Sequence, residues 1–190
     1  MKTANFILSG LGGQGVLFLT KVLAQAAVNK GFSVMGAETH GMAQRGGSVV
    51  SHLRVGDVGS SLVMAGSAHY VLALEENEAY RNIPFLAKAG GLYANARQNR
   101  FPRQEVGPYL KKMGIVCRSL PAGEMAMELD APMSLNLALL GFFSSFGEGP
   151  VSHKDLSETI EQITPNRFKA INLKVFDAGF QRGVKEQSGE

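Results

Sequence analysis

Asn5–Ser9 is a short apolar run built on Phe6, Ile7 and Leu8 that stops at Gly10. Val16, Leu19, Leu23, Ala26 and Ala27 then recur at helical spacing up to Asn29. Gly31 ends that helix and Phe32–Ala37 supplies the next strand, so the opening reads as a βαβ unit with a right-handed crossover. On this reading the first two strands are parallel neighbours. Ser48–Val55 alternates, with Val49, Leu53 and Val55 on one face and Ser48, His52 and Arg54 on the other, which predicts a strand with one polar side. Gly56-Asp57 marks a turn, and Ser60–Met64 is expected to return beside that strand as a hairpin, making the sheet mixed.

Downstream, His69–Leu74 reads as a strand and Asn77–Lys88 as a helix interrupted near Pro84. Gly90-Gly91 leads into a strand over Leu92–Asn95, Ile115–Cys117 is a further short strand, and Glu124–Leu129 is helical. The last third is helical over Ser134–Phe146, Ser152–Ile163 and Asn166–Gly183, with Ser152 and Asp155 at the spacing of a capping box. Residues 184–190 read as a polar tail on a single domain spanning 1–183. The fold class that follows is α/β, a three-layer α/β/α domain with a mixed, mostly parallel sheet.

Composition narrows the function more than the fold. The 19 Lys and Arg against 16 Asp and Glu give a net charge of +3 and are scattered along the chain, so no nucleic-acid or anionic-lipid surface is indicated. Cys117 is the only cysteine, which excludes an internal disulfide, a four-thiolate zinc site and a cysteine-ligated iron-sulfur cluster held by this chain alone. The apolar run at Phe6–Leu8 is too short for the core of a signal peptide, and Met133–Phe146 is broken by Ser134, Asn136 and Gly141 before it could span a bilayer. No membrane association is expected, and a cytoplasmic setting fits. Glycine stands out, at 23 of 190 residues, about 12% against a usual value of about 7%.

The glycines concentrate where chemistry could sit. Gly10-Leu11-Gly12-Gly13-Gln14-Gly15 joins a strand to a helix, so its amides and the helix N-terminus form a natural site for an anion. Gly10, Gly12 and Gly15 also satisfy the dinucleotide fingerprint, with Glu38 at the end of the second strand as the ribose carboxylate. Equally, these glycines could serve only a tight turn. The segment from Glu38 through His40, Gln44, Arg45, Gly46 and Gly47 to Ser48 gathers several polar groups, and parallel first and second strands would bring it beside Gly12, Gly13, Gln14 and Gly15. A contact role suits this loop better than catalysis, because no nucleophile, base and orienter stand at a recognisable spacing. Glu75, Glu76 and Glu78 read as a solvated helix start rather than a metal cluster, Asn136 as a hydrogen-bonded buried amide, and Cys117 as a small core residue.

Taken together, the Gly10–Gly15 turn and His40-Gly41-Met42-Ala43-Gln44-Arg45-Gly46-Gly47-Ser48-Val49 resemble the gamma-type subunit of 2-oxoacid:ferredoxin oxidoreductases. The second motif is most similar to the beta subunit of the indolepyruvate ferredoxin oxidoreductases. The likeness runs from about Asn5 to Phe180 and includes Ala73-Leu74-Glu75, Glu78-Ala79 and the helix around Asn136 and Gly141. The resemblance implies a pyruvate/ketoisovalerate oxidoreductase gamma-type domain. It also implies an accessory, non-catalytic subunit of a complex that decarboxylates a 2-oxoacid oxidatively, forms an acyl-coenzyme A and reduces ferredoxin. Thiamine diphosphate, Mg and iron-sulfur clusters would then sit on an alpha-type partner subunit. Coenzyme A phosphates would suit Gly12–Gly15, His40 and Arg45. The alternative from the glycine fingerprint is a free-standing Rossmann-type dinucleotide-binding protein. An isolated subunit would also expose an apolar patch, with Met42 and Met64 as candidates, and could form a homodimer.

Overall fold

A computed structural model describes residues 3–40 and 46–189, with His40 described in its backbone only. Among the described residues six strands form one sheet: β1 (Ala4–Leu11), β2 (Val34–His40), β3 (Ser48–Val55), β4 (Ala68–Ala73), β5 (Leu86–Asn95) and β6 (Val116–Leu120), in the order β2-β3-β1-β4-β5-β6. The β1–β4, β4–β5 and β5–β6 pairs are parallel, while β3 runs antiparallel to both β1 and β2. The sheet is thus mixed and mostly parallel, as expected.

The expected adjacency of β1 and β2 is corrected: both point the same way, but β3 lies between them. Its eight residues pair along the full length of β1, from Ala4↔Val55 to Leu11↔Ser48, and of β2, from Val34↔Val55 to His40↔Val49. An inner strand is buried on both faces: the second face carries His52 with Arg54 beside it, while Ser51 lies on the apolar face between Val49 and Leu53. Ser51 and His52 are both buried, and His52 Nδ1 accepts a hydrogen bond from the Val63 amide at 3.2 Å. Ser60–Met64 therefore does not form the expected hairpin strand. It crosses the polar face of β3, tied by Arg54 Nη1 to the Ser60 hydroxyl at 2.6 Å.

Apolar residues of alternate sheet positions define two cores. Phe6 and Leu8 of β1 face the larger one, which is closed by α1 (Val16–Asn29), α4 (Ala122–Glu128), α5 (Leu135–Ser145), α6 (His153–Ile163) and α7 (Asn166–Ser188). Ile7 faces the other, closed by α2 (Glu76–Asn82) and α3 (Gly107–Met113). The result is the α/β/α layering, with its helical C-terminal third. The Ser152–Asp155 capping box at the start of α6 forms with both reciprocal bonds.

Several boundaries moved for local reasons. The helix expected over Asn77–Lys88 stops at Asn82 because Pro84 tightens the chain into a 3₁₀ turn, and β5 starts at Leu86, so Gly90 and Gly91 lie within a strand. A register shift in the β4–β5 pairing absorbs Ala89, whose φ is 58°. The strand expected at Ile115–Cys117 runs to Leu120, and α3 lies in a stretch with no element assigned from the sequence. The last helix continues five residues past Gly183, to Ser188, so most of the expected polar tail is helical.

Candidate functional site

The site is the carboxyl edge of the sheet, where β1 gives way to α1. At the end of β1 the chain closes on itself: the Leu11 amide donates to Gln14 Oε1 at 2.7 Å and the Gln14 amide donates to the Leu11 carbonyl at 3.0 Å. Gly13 and Gly15 have φ of 98° and 82°, the left-handed region that suits glycine. Gly15 is the N-cap of α1, and among the described residues neither a side-chain cap nor a first-turn carboxylate competes for the amides that open the helix. Those donors and the positive end of the helix dipole are directed at one spot. Beside them is a cavity of about 460 Å³ whose walls are Leu11, Gly12, Gly13, Val16, Leu17 and neighbouring apolar residues. Backbone donors at the rim of an apolar bowl suit an anionic group on a larger, partly apolar ligand.

Two of the expected loop residues reach this turn. The Gly12 amide donates to the Gly47 carbonyl at 2.9 Å, and a Cβ on Gly12 would lie 3.5 Å from the Gly46 amide nitrogen, so the two backbones touch. Glu38 does not join them. It is exposed, not at the end of β2, and opposite Ser51 of β3. Two strand spacings, roughly 10 Å, therefore separate it from β1. A ribose carboxylate on a neighbouring strand is thereby ruled out. Arg45, Gln44 and Met42 lie outside the described residues, as does the side chain of His40.

Of two further residues at this edge, Asn136 is the hydrogen-bonded buried amide expected and Glu78 departs from its reading. Asn136, at the start of α5, donates from Nδ2 to the Gly15 carbonyl at 3.0 Å and accepts from the Leu137 amide at 2.9 Å. A Cβ on Gly15 would fall 2.5 Å from that Nδ2, so the turn and α5 are fitted to each other. Glu78 corrects the reading of a solvated acidic helix start. Glu75 does cap α2, accepting from the Asn77 and Glu78 amides, but Glu78 is only 1% exposed. Its Oε2 accepts from the Ser48 hydroxyl at 2.7 Å and its Oε1 from Arg81 Nη1 at 2.8 Å. The signal was available: Glu78, Ala79, Asn82 and Ile83 share one helical face, and the other three are buried.

Other chemistry-bearing groups are accounted for by packing. A second cavity at the carboxyl edge, about 420 Å³, is lined by Gln14, Glu75, Asn95, Arg97 and Arg100, with Arg97 paired to Glu124 at 2.7 Å. At the opposite edge Glu148 accepts from the Tyr93 hydroxyl at 2.6 Å and from Arg118 at 2.9 Å. Burial first, then the bond to Glu148, pushes the Tyr93 phenol far above its ordinary range, so it stays protonated. Burial pushes the Cys117 thiol up to about 11, which makes it a poor nucleophile. Among the described residues no group of three or more His, Cys, Asp or Glu could hold a metal ion, and no helix is long and apolar enough to cross a membrane. Met64 is 71% exposed.

Residues 5–182 match the family described as pyruvate ferredoxin/flavodoxin oxidoreductase. The indolepyruvate oxidoreductase subunit IorB of Archaeoglobus fulgidus is 32% identical over 191 residues, covering 95% of each chain. The gamma subunit of a keto/oxoacid ferredoxin oxidoreductase from Geobacter sulfurreducens superposes with a TM-score of 0.76 at 20% identity, over 95% of this chain and 98% of that one. A 2-oxoglutarate:ferredoxin oxidoreductase from Magnetococcus marinus, with 2-oxoglutarate, coenzyme A and succinyl-CoA bound, gives 0.78 at 19% identity over 97% of this chain and 31% of that one. At these identities the likeness to the two solved structures is one of fold.

Proposed function

The chain belongs to the pyruvate ferredoxin/flavodoxin oxidoreductase family, and from that premise we propose that it is the small accessory subunit of a complex acting on an aryl 2-oxoacid such as indolepyruvate. The full-length relation to an IorB subunit supports the substrate class. The complex converts the oxoacid to an acyl-coenzyme A and passes the electrons to ferredoxin. Thiamine diphosphate, its Mg ion and the iron-sulfur clusters belong to the larger partner subunit, since a chain with one cysteine cannot ligate such a cluster.

This chain's own contribution is a backbone anion site at the Gly12–Gly15 turn, which receives phosphates of coenzyme A while the apolar bowl beside it faces the partner. The observation that carries this reading is the Gly12–Gly47 hydrogen bond, which joins the loop containing Arg45 to a helix N-terminus without a side-chain cap. The free-standing dinucleotide reading loses its support with the separation of Glu38 from β1. The test is the affinity of the assembled enzyme for coenzyme A. Gly13→Asp adds a carboxylate to the turn before α1, where among the described residues nothing lies within 4 Å of a Cβ, and Arg45→Ala removes a cation from the adjoining loop. Each is expected to weaken coenzyme A binding by about ten-fold or more, the scale of one charge-assisted contact. Unchanged affinity in both variants ends the proposal.

A further inference from the structure

A buried carboxylate is costly unless its lone pairs are met. Arg81 alone does not explain why Glu78 is inside, because the Arg81 side chain is 67% exposed and could meet a carboxylate at the surface equally well. The inward half of the group serves Ser48, the first residue of β3. Ser48 follows Gly47, whose carbonyl receives the Gly12 amide. At the other end Glu78 is fixed by its backbone, with its amide bonded to Glu75 Oε2 at 3.2 Å and its carbonyl to Asn82 Nδ2 at 2.8 Å. One continuous path of hydrogen bonds and covalent links thus runs from α2 through Glu78, Ser48 and Gly47 to Gly12.

We propose that Glu78 is a positioning residue that, through the Ser48 hydroxyl, sets the Gly47 carbonyl against Gly12 and so fixes the spacing between the glycine turn and the start of β3. It touches no ligand. Its consequence for coenzyme A rests on the function proposed above, whereas its effect on the backbone does not, and the two are measured separately.

The first measurement is hydrogen exchange of the Gly12 amide in the isolated chain, for Ser48→Ala, Ser48→Thr, Glu78→Met and the Ser48→Ala/Glu78→Met pair. Methionine fills similar volume without an acceptor, so the fold has a substitute side chain. Ser48→Ala and Glu78→Met are each expected to speed Gly12 exchange about ten-fold, the scale of one lost hydrogen bond. The Ile7 and Leu72 amides should keep their rates, Ser48→Thr should restore protection, and the pair should add nothing to either single change. The second measurement is steady-state kinetics of the assembled enzyme, where the KM for coenzyme A should rise about ten-fold with kcat within two-fold. A carboxylate needed only for folding would speed exchange at all three amides together and lower kcat with KM unmoved, and that outcome overturns the proposal. So does unchanged Gly12 exchange in Ser48→Ala. Faster Gly12 exchange with an unchanged KM upholds the clamp and removes the coenzyme A reading instead.

Discussion

Between α5 and α7 a methyl group on Gly141 would overlap the Phe176 carbonyl, and one on Gly179 would overlap that of Ala138, whereas at Gly13 and Gly46 it would meet nothing within 4 Å among the described residues. In the helical layer glycine lets two backbones touch, and the space it frees is already filled. At the carboxyl edge glycine is required by its φ of 98° and 71°, and among the described residues nothing lies within 4 Å beside it. Glycine needed for packing marks the scaffold, whereas a positive-φ glycine with an empty flank marks a turn: Gly31 and Gly189 are such glycines at helix C-termini, and at Gly13 the turn adjoins the N-terminus of α1.

The largest effect that would sharpen this contrast is at the helix seam. Gly141→Leu forces backbone apart from backbone, and overpacking at a site that cannot yield costs about 3 kcal/mol or more. Urea unfolding should show that loss, or the variant should fail to accumulate as folded protein. A Gly141→Leu chain with the parental midpoint would break the assignment of the seam as rigid. Next is Gly15→Ala, at a turn where both demands meet. Its φ of 82° and the 2.5 Å approach to Asn136 Nδ2 predict a loss of about 2 kcal/mol, part conformational strain and part the broken Asn136–Gly15 bond. Because the obstacle is the end of a side chain, the loss should shrink in an Asn136→Ala background, and a double-mutant cycle measures by how much. Gly13→Ala is smaller still, about 1 kcal/mol from conformation alone, with Gly13→Asn costing less because asparagine tolerates positive φ.

How far these two regions could be read from the sequence follows the same division. The strand–turn–helix at Leu11–Val16, the capping box at Ser152 and the apolar helix around Gly141 are local patterns, and each forms where its residues predicted it. The placement of β3 was hidden because the face opposite Val49, Leu53 and Val55 carries His52 and Arg54, residues that ordinarily mark a solvated side, yet His52 is buried there. Which strand lies next to β1 depends on long-range pairing, and the alternation of one strand carries no information about its neighbour. With β3 misplaced, Glu38 was set beside the glycine turn. Glu78 was obscured differently: three acids at a helix start suggest solvent, and only the tertiary approach of Ser48 makes one of them internal. The glycine turn and the helix behind it were legible because helix polarity and glycine spacing are properties of the chain alone, while the Ser48–Glu78 bond is a contact between residues thirty positions apart.

The smallest effect returns to the helix seam and concerns pH. The His153 ring stacks on Phe176 at 4.7 Å and lies against Phe180 at 3.9 Å, with Nε2 at 3.2 Å from Asp177 Oδ1. Burial lowers its pKa, and the attraction of Asp177 offsets that only in part. A histidine whose folded pKa is depressed stabilises the fold fully above its unfolded value of about 6.5 and loses that contribution as pH falls through the folded value. His52, also lowered by burial and bonded as an acceptor to the Val63 amide, acts in the same direction. Urea midpoints should therefore fall between about pH 7.5 and 5.5. His153→Phe should keep the stack on Phe176 yet flatten the slope, leaving the share due to His52. A variant slope equal to the parental one would show that the His153 proton is not linked to folding, and a chain that gains stability on acidification would mean that Asp177, rather than the aromatic stack, governs the seam.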